Sequence, residues 1–217
     1  MKGNLVKVEY TTDTHVVYQT SILGLDERTI LMLSGKRVLD VACGLGKLVE
    51  HLRKRGVNAE GIDPRAPRKN HFTRRKIEGV GQGEGIPADN QSIDLITSFQ
   101  NPCLTTILGA SRDRWAHEYS KMGPAGQRAY QKDCEIAHYV LSEIGRTLKV
   151  GGRALIFPYL PHLERVVGHI LRMDGVRIDR EAIDVNAALR YRRSQGIPIA
   201  KAEDLEERHK YRSVLVK

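Results

Sequence analysis

Lys36-Arg37-Val38-Leu39-Asp40-Val41-Ala42-Cys43-Gly44-Leu45-Gly46-Lys47-Leu48 sets a strand, a glycine turn and a helix start side by side. Arg37 to Ala42 is a short β-branched run, and Gly44 and Gly46 end it. Lys47 to Arg55 then reads as a helix, with Leu48, Val49 and Leu52 on one face and Gly56 as its stop. Glycines at such a turn let the backbone pass close to a ligand where a Cβ would clash. The helix start that follows turns free N–H groups and a positive dipole end toward an anion. Val57 to Ile62 reads as a second strand, and Asp63, nineteen residues after Gly44, ends it. A carboxylate placed there can accept two hydrogen bonds from a ribose diol. Strand, glycine turn, helix, strand and acid make a nucleoside-binding layout at the C-terminal edge of a sheet.

The layout also narrows the nucleoside. A dinucleotide fingerprint needs G-x-G-x-x-G, and here Val49 stands at the third glycine position. Asp40 lies in the strand just before the turn, where it would repel a pyrophosphate and welcome an amino group. No G-x-x-x-x-G-K-[ST] phosphate loop is present. A zwitterionic nucleoside fits better than a nucleotide.

Outward from this stretch, apolar runs continue to alternate with periodic segments. Arg74 to Ile77 is a candidate third strand, Ile93 to Phe99 a fourth and Arg153 to Phe157 a fifth. Ala125 to Leu148 reads as a long helix with Ile136, Tyr139, Val140, Ile144 and Leu148 near helical spacing, and Lys149 to Gly152 as a turn into the next strand. Leu163 to Met173 reads as helical, Val176 to Ile178 as short and extended, and Tyr211 to Val216 as a final strand. The expected fold is α/β: a three-layer, doubly wound, mostly parallel sheet with a short antiparallel last strand. One domain spanning 1–217 is expected. Residues 1–35 would form an arm or lid, with the first twenty residues a lid or an added strand, and 36–157 a cofactor-binding core. Residues 103–126 would be a substrate-covering insertion and 158–217 the rest of the sheet.

Composition sets the outer limits. In 217 residues, 41% are apolar and 28% charged, which excludes a wholly disordered chain, a collagen-like fibre or a disulfide scaffold. Cys43, Cys103 and Cys134 are far apart with no CxxC pair, which suits a reducing, cytoplasmic setting and gives no metal signature. The opening MKGNLVKVEY lacks the apolar core of a signal peptide, and no apolar run approaches a bilayer span. A formal charge of +9 raises the question of an anionic partner.

Four motifs carry a family resemblance. Val38 to Gly46 looks like motif I of the class I, Rossmann-like S-adenosylmethionine-dependent methyltransferases. Gly61-Ile62-Asp63-Pro64 resembles the acidic end of their second strand, Gly83 to Ile96 their adenine-side segment and fourth strand, and Arg146 to Leu155 their turn into strand five. The one departure is Ala42, where that family often has the first glycine of G-x-G-x-G. The resemblance implies S-adenosylmethionine as cofactor and assigns roles by position. Asp40 would hold the loop and the methionine amino group. Ala42, Cys43, Gly44 and Gly46 would line the methionine and ribose side, and Asp63 would bind the ribose hydroxyls. Gln82, Gly83 or Glu84 would meet the adenine edge, with Ile62, Pro64 and Ile86 against the ring. Gln100 would close the site near the transferred methyl.

Methyl transfer needs a general base only if the nucleophile keeps its proton at neutral pH. His162, His117 and His138 are the imidazoles able to serve, with Gln100 as a further polar contact and Tyr10, Tyr18 and Tyr119 as possible cover. The segment Asn101-Pro102-Cys103-Leu104 lacks the second proline and the aromatic of the N-P-P-[YF] motif of amino-methylating DNA enzymes. Basic residues cluster at Arg65, Arg68, Lys69, Arg74, Arg75 and Lys76, and again at Arg190, Arg192 and Arg193. The expectation is therefore a methyltransferase acting on a small-molecule acceptor, because the adenine-side segment resembles the small-molecule branch. RNA methylation along the basic 65–76 run and a non-catalytic cofactor-binding partner protein are the alternatives.

Overall fold

The computed structural model describes residues 13–63, 85–100, 104, 117, 120–163, 168, 171–172, 175–196 and 201–217. Its strands are β1 (Arg37–Val41), β2 (Asn58–Ile62), β3 (Ile93–Phe99), β4 (Leu148–Phe157), β5 (Arg177–Ala182) and β6 (Tyr211–Val216). Its helices are α1 (Asp13–Ile22), α2 (Glu27–Met32), α3 (Lys47–Arg53), α4 (Gly123–Thr147) and α5 (Val185–Ser194). They form one sheet in the order β2-β1-β3-β4-β6-β5. β2, β1, β3 and β4 are mutually parallel, while β6 runs antiparallel to both β4 and β5. The mostly parallel sheet and the antiparallel last strand expected from sequence are both present.

The sheet divides two apolar cores, which makes three layers. Val38, Leu95, Leu155, Phe157 and Val214 join one cluster with residues of α1, α2, α3 and α5. Leu39, Val41, Ile96, Ala154, Ile156 and Leu215 join another with Ala137, Val140, Leu141 and Ile144 of α4. Neighbouring residues of one strand thus fall on opposite faces, as the pleat requires. Both faces are covered, which is why β1 and β3 read as nearly continuous apolar runs.

Several elements differ from the sequence expectation. Of the first twenty residues, those described belong to α1, packed on α3 and α5, rather than to an added strand. Its β-branched residues are accommodated because tertiary packing overrides propensity. Val176 to Ile178 is the start of a six-residue edge strand, Arg177–Ala182. Its sequence RIDREA is polar because only one edge is paired and little of it is buried. Helix α5 was not foreseen, although Asp184 accepts hydrogen bonds from the N–H groups of Asn186 and Ala187 as an N-cap. Arg190 is engaged: its guanidinium stands 5.8 Å over the Tyr18 ring and 3.9 Å from Asp184.

Lys149 to Gly152 lies inside β4 as a bulge. Leu148 pairs with Ile93 and Arg153 with Leu95, so four residues stand opposite Asp94 alone. The C-terminal end of the 103–126 segment is the first turn of α4. Arg74 to Ile77, the basic run 65–76, Tyr10, Tyr119 and most of 103–126 lie outside the described residues. Among the described residues, no helix is long and apolar enough to cross a membrane.

Candidate functional site

The chain leaves β1 at Val41 and turns over Ala42–Gly46 before α3. Three residues of this turn have left-handed backbone: Ala42 at φ 63°, Gly44 at 56° and Gly46 at 76°. The N–H groups of Ala42 and Cys43 donate to the Ile62 carbonyl at 2.8 and 3.2 Å, tying the turn to the end of β2. Gly46 N–H donates to the Cys43 carbonyl at 2.9 Å. A Cβ on Gly44 would meet no heavy atom within 4 Å, so the crest of the turn faces open space. Behind the crest the packing is tight: a Cβ on Gly61 would stand 2.7 Å from Cys43 Sγ and 3.0 Å from Val49 Cγ2.

Two carboxylates flank the turn. Asp63, 2% exposed at the end of β2, accepts a hydrogen bond from Gly44 N–H on Oδ2 at 3.0 Å. Asp40, 4% exposed in β1, accepts from Thr97 Oγ1 of β3 at 2.7 Å. Burial pushes the Asp40 carboxyl up to about 7, the Thr97 hydrogen bond works against that shift, and the charge of Asp63 adds to it. Burial likewise pushes the Cys43 thiol up, and the charges of Asp40 and Asp63 push it further. Cys43 is therefore a neutral packing residue at physiological pH rather than a thiolate nucleophile.

Gln100, with φ 55°, follows β3 at the same sheet edge and donates its N–H to the Phe157 carbonyl at 2.7 Å. The turn after β1, Asp63 and Gln100 thus come together past the C-terminal ends of β1, β2 and β3. This is where open α/β sheets bind ligands. His162 follows β4 in a half-buried turn. His117 is exposed, and its carbonyl accepts from Ser120 Oγ at 2.6 Å. Pro64, Gln82, Gly83 and Glu84 lie outside the described residues.

Sequence reasoning missed the partners of these groups. The Thr97 hydroxyl donates to Asp40, and Ser98 Oγ donates to the Val41 carbonyl at 3.1 Å. Small hydroxyl residues inside an otherwise apolar strand were the available signal. Glu143 and Arg146, far along the chain, bind the segment that leads into β3. A cavity of about 290 Å³ lies at the opposite end of the sheet, among Leu25, Leu33, Lys36, Asp94 and Lys149, away from Asp40 and Asp63.

Residues 25–101, about a third of the chain, match the family model of a methyltransferase domain. No curated protein matches the chain in sequence. Among solved structures, the chain resembles a complex of the Haloferax volcanii Trm112 methyltransferase activator with a methyltransferase. That likeness is at 16% identity and TM-score 0.44, covering 95% of this chain and 98% of that one. A TehB-like SAM-dependent methyltransferase from Corynebacterium glutamicum aligns at 17% identity and TM-score 0.44, over 91% and 92% of the two chains. A S-adenosylmethionine-dependent methyltransferase from Mesorhizobium loti aligns at 12% identity and TM-score 0.47, over 84% and 91%. The match over residues 25–101 is to a methyltransferase domain, and it falls on the doubly wound, mostly parallel sheet that the motifs predict.

Proposed function

We propose that this chain transfers a methyl group from S-adenosylmethionine to a small-molecule acceptor in the cytoplasm, with the cofactor seated over the turn after β1. The observation that carries the seating is the hydrogen bond from Gly44 N–H to Asp63 Oδ2 at 3.0 Å. It joins the glycine turn to the strand-end acid, beside the buried Asp40. When bound, S-adenosylmethionine supplies a methyl carbon whose bond to the sulfonium sulfur breaks as the acceptor's lone pair bonds to it, leaving S-adenosylhomocysteine.

The residues divide the work. Asp40 holds the ammonium of the methionine moiety, a cation that offsets the burial of its carboxylate. Asp63 accepts from the ribose hydroxyls; one carboxylate has lone pairs for these and for Gly44 together. The backbone of Ala42, Cys43, Gly44 and Gly46 lines the methionine and ribose side, and Pro64, Gln82, Gly83 and Glu84 line the base. Gln100 would close the site near the transferred methyl. If the acceptor reaches the site protonated, His162 or His117 takes the proton. Positioning the acceptor in line with the breaking bond supplies much of the rate. The small-molecule assignment is supported by the likeness of 83–96 to the small-molecule branch.

Radiolabelled methyl transfer to fractionated cell extract, treated separately with nuclease and protease, tests the assignment. Label in a small molecule resistant to both supports it. Nuclease-sensitive label replaces it with RNA methylation along 65–76, and protease-sensitive label with a protein acceptor. Calorimetry tests the seating: Asp63→Ala should weaken S-adenosylmethionine binding by about 1.5–3 kcal/mol, the worth of lost charged hydrogen bonds. Unchanged affinity removes Asp63 from the site. Binding by the wild type with no transfer to any fraction leaves a non-catalytic cofactor-binding protein.

A further inference from the structure

One face of α4 is directed at a loop instead of the core. Glu143 Oε2 accepts from the N–H of Ile86 at 2.8 Å, and Arg146 Nη2 donates to the carbonyl of the same residue at 3.0 Å. Arg146 Nη1 donates to the Ala88 carbonyl at 2.9 Å and to Asn90 Oδ1 at 2.7 Å. The remaining guanidinium donors form a two-pronged pair with Glu143, Nε to Oε1 and Nη2 to Oε2, each at 2.7 Å. All five N–H donors of Arg146 are thereby used. The N–H groups of Gln91 and Ser92 donate to the carbonyls of Arg146 and Thr147 at 3.0 and 2.9 Å. A Cβ on Gly85 would stand 2.8 Å from Glu143 Cδ and 2.9 Å from the Tyr139 hydroxyl, so a side chain there would have to displace Glu143.

An isolated surface ion pair does little for stability. This one differs because it is forked and its other donors all end on a single segment. What the segment carries is Ile86, 3% exposed and packed in the same cluster as Ile62, the last residue of β2 before Asp63. The clamp therefore sets where Ile86 and the backbone of 85–88 stand relative to the strand-end acid.

We propose that Glu143 and Arg146 are positioning residues that hold segment 85–90 as one wall of the cofactor's base pocket, and so set affinity and selectivity for the adenine base. This rests on the cofactor site proposed above. Loss of the clamp frees the segment without removing any group that touches the cofactor. A purely structural role would lower thermal stability and leave the choice between bases unchanged.

The test is calorimetry of S-adenosylhomocysteine and its inosine analogue, which carries a 6-oxo in place of the 6-amino group. It is run on the wild type, Arg146→Met, Glu143→Gln and Asn90→Ala, with thermal unfolding to show that each is folded. Arg146→Met should bind S-adenosylhomocysteine about ten-fold more weakly and show a reduced preference over the inosine analogue. Glu143→Gln, which keeps an acceptor for Ile86 but weakens the fork, should fall between, and Asn90→Ala should lose about two-fold. If Arg146→Met does not fold, the other two variants decide the same question. Wild-type affinity, or weakened affinity with unchanged selectivity, in folded clamp variants overturns the positioning role and leaves the cofactor site standing. Failure of the wild type to bind either compound overturns the site and the clamp with it.

Discussion

Asp40→Asn separates what the fold favours from what the cofactor site requires. Asp40 is almost fully buried, and burial above all, with the nearby charge of Asp63, moves its carboxyl from the ordinary 3.8 to about 7. The folded chain thus holds this proton more tightly than the unfolded chain. Stability must fall as pH rises from about 4 to about 7, and the full cost is present above that window. At 1.36 kcal/mol per pH unit the cost of the ionised form approaches about 4 kcal/mol. Asparagine keeps an oxygen to accept from the Thr97 hydroxyl, now at 2.7 Å, and cannot ionise. Its buried amide N–H groups carry a cost of their own, but one that does not vary with pH. Urea unfolding of the cofactor-free protein at pH 5 and pH 8 should therefore show the stability gap between variant and wild type widening in the variant's favour by about 2–3 kcal/mol. His209 titrates equally in both proteins and cancels. A gap that stays constant, or narrows at pH 8, refutes the reasoning. The same variant should bind S-adenosylmethionine more weakly, since the ammonium loses its counter-charge. A stability gain bought with a binding loss is the usual trade at functional sites.

Further outcomes follow from the same geometry. Ala42→Gly should stabilise the fold by up to about 1 kcal/mol in denaturant titration, because Ala42 sits at φ 63° where a Cβ is strained and glycine is not. Gly61→Ala should destabilise by about 1–3 kcal/mol in the same assay, since its Cβ would meet Cys43 Sγ at 2.7 Å and displace the turn. His209 is buried against Phe157, and burial first, then Arg192 and Arg208, press its imidazole down to about 4. Its contribution is whole above the unfolded value near 6.5 and is lost as pH falls toward 4. His209→Gln should flatten that acid limb by up to about 3 kcal/mol in pH-dependent thermal unfolding.

Much of the fold was legible because local chemistry and tertiary role coincided. Ile93–Phe99 and Tyr211–Val216 were bounded as they stand, since β-branched and aromatic runs flanked by polar or helical segments have few other uses. The turn after β1 was legible because Gly44 and Gly46 take left-handed backbone that few other residues accept. β5 was only partly legible: an edge strand with one paired side needs no apolar pattern. α1 was hidden because its residues are helical through packing on α3 and α5 rather than through propensity.

For the site, the sequence by itself determined the spacing of Asp40, the glycine turn and Asp63, and with it the class of ligand to propose, because short-range backbone geometry dictates those positions. Only the tertiary structure decided the rest. It set Thr97 against Asp40 across 57 residues and Glu143 against Ile86 across the same separation. It also gave the Asp40 carboxyl its raised affinity for a proton. Such pairings arise from sheet order and helix docking, where residues distant in the chain share one dry space and no local pattern records the meeting.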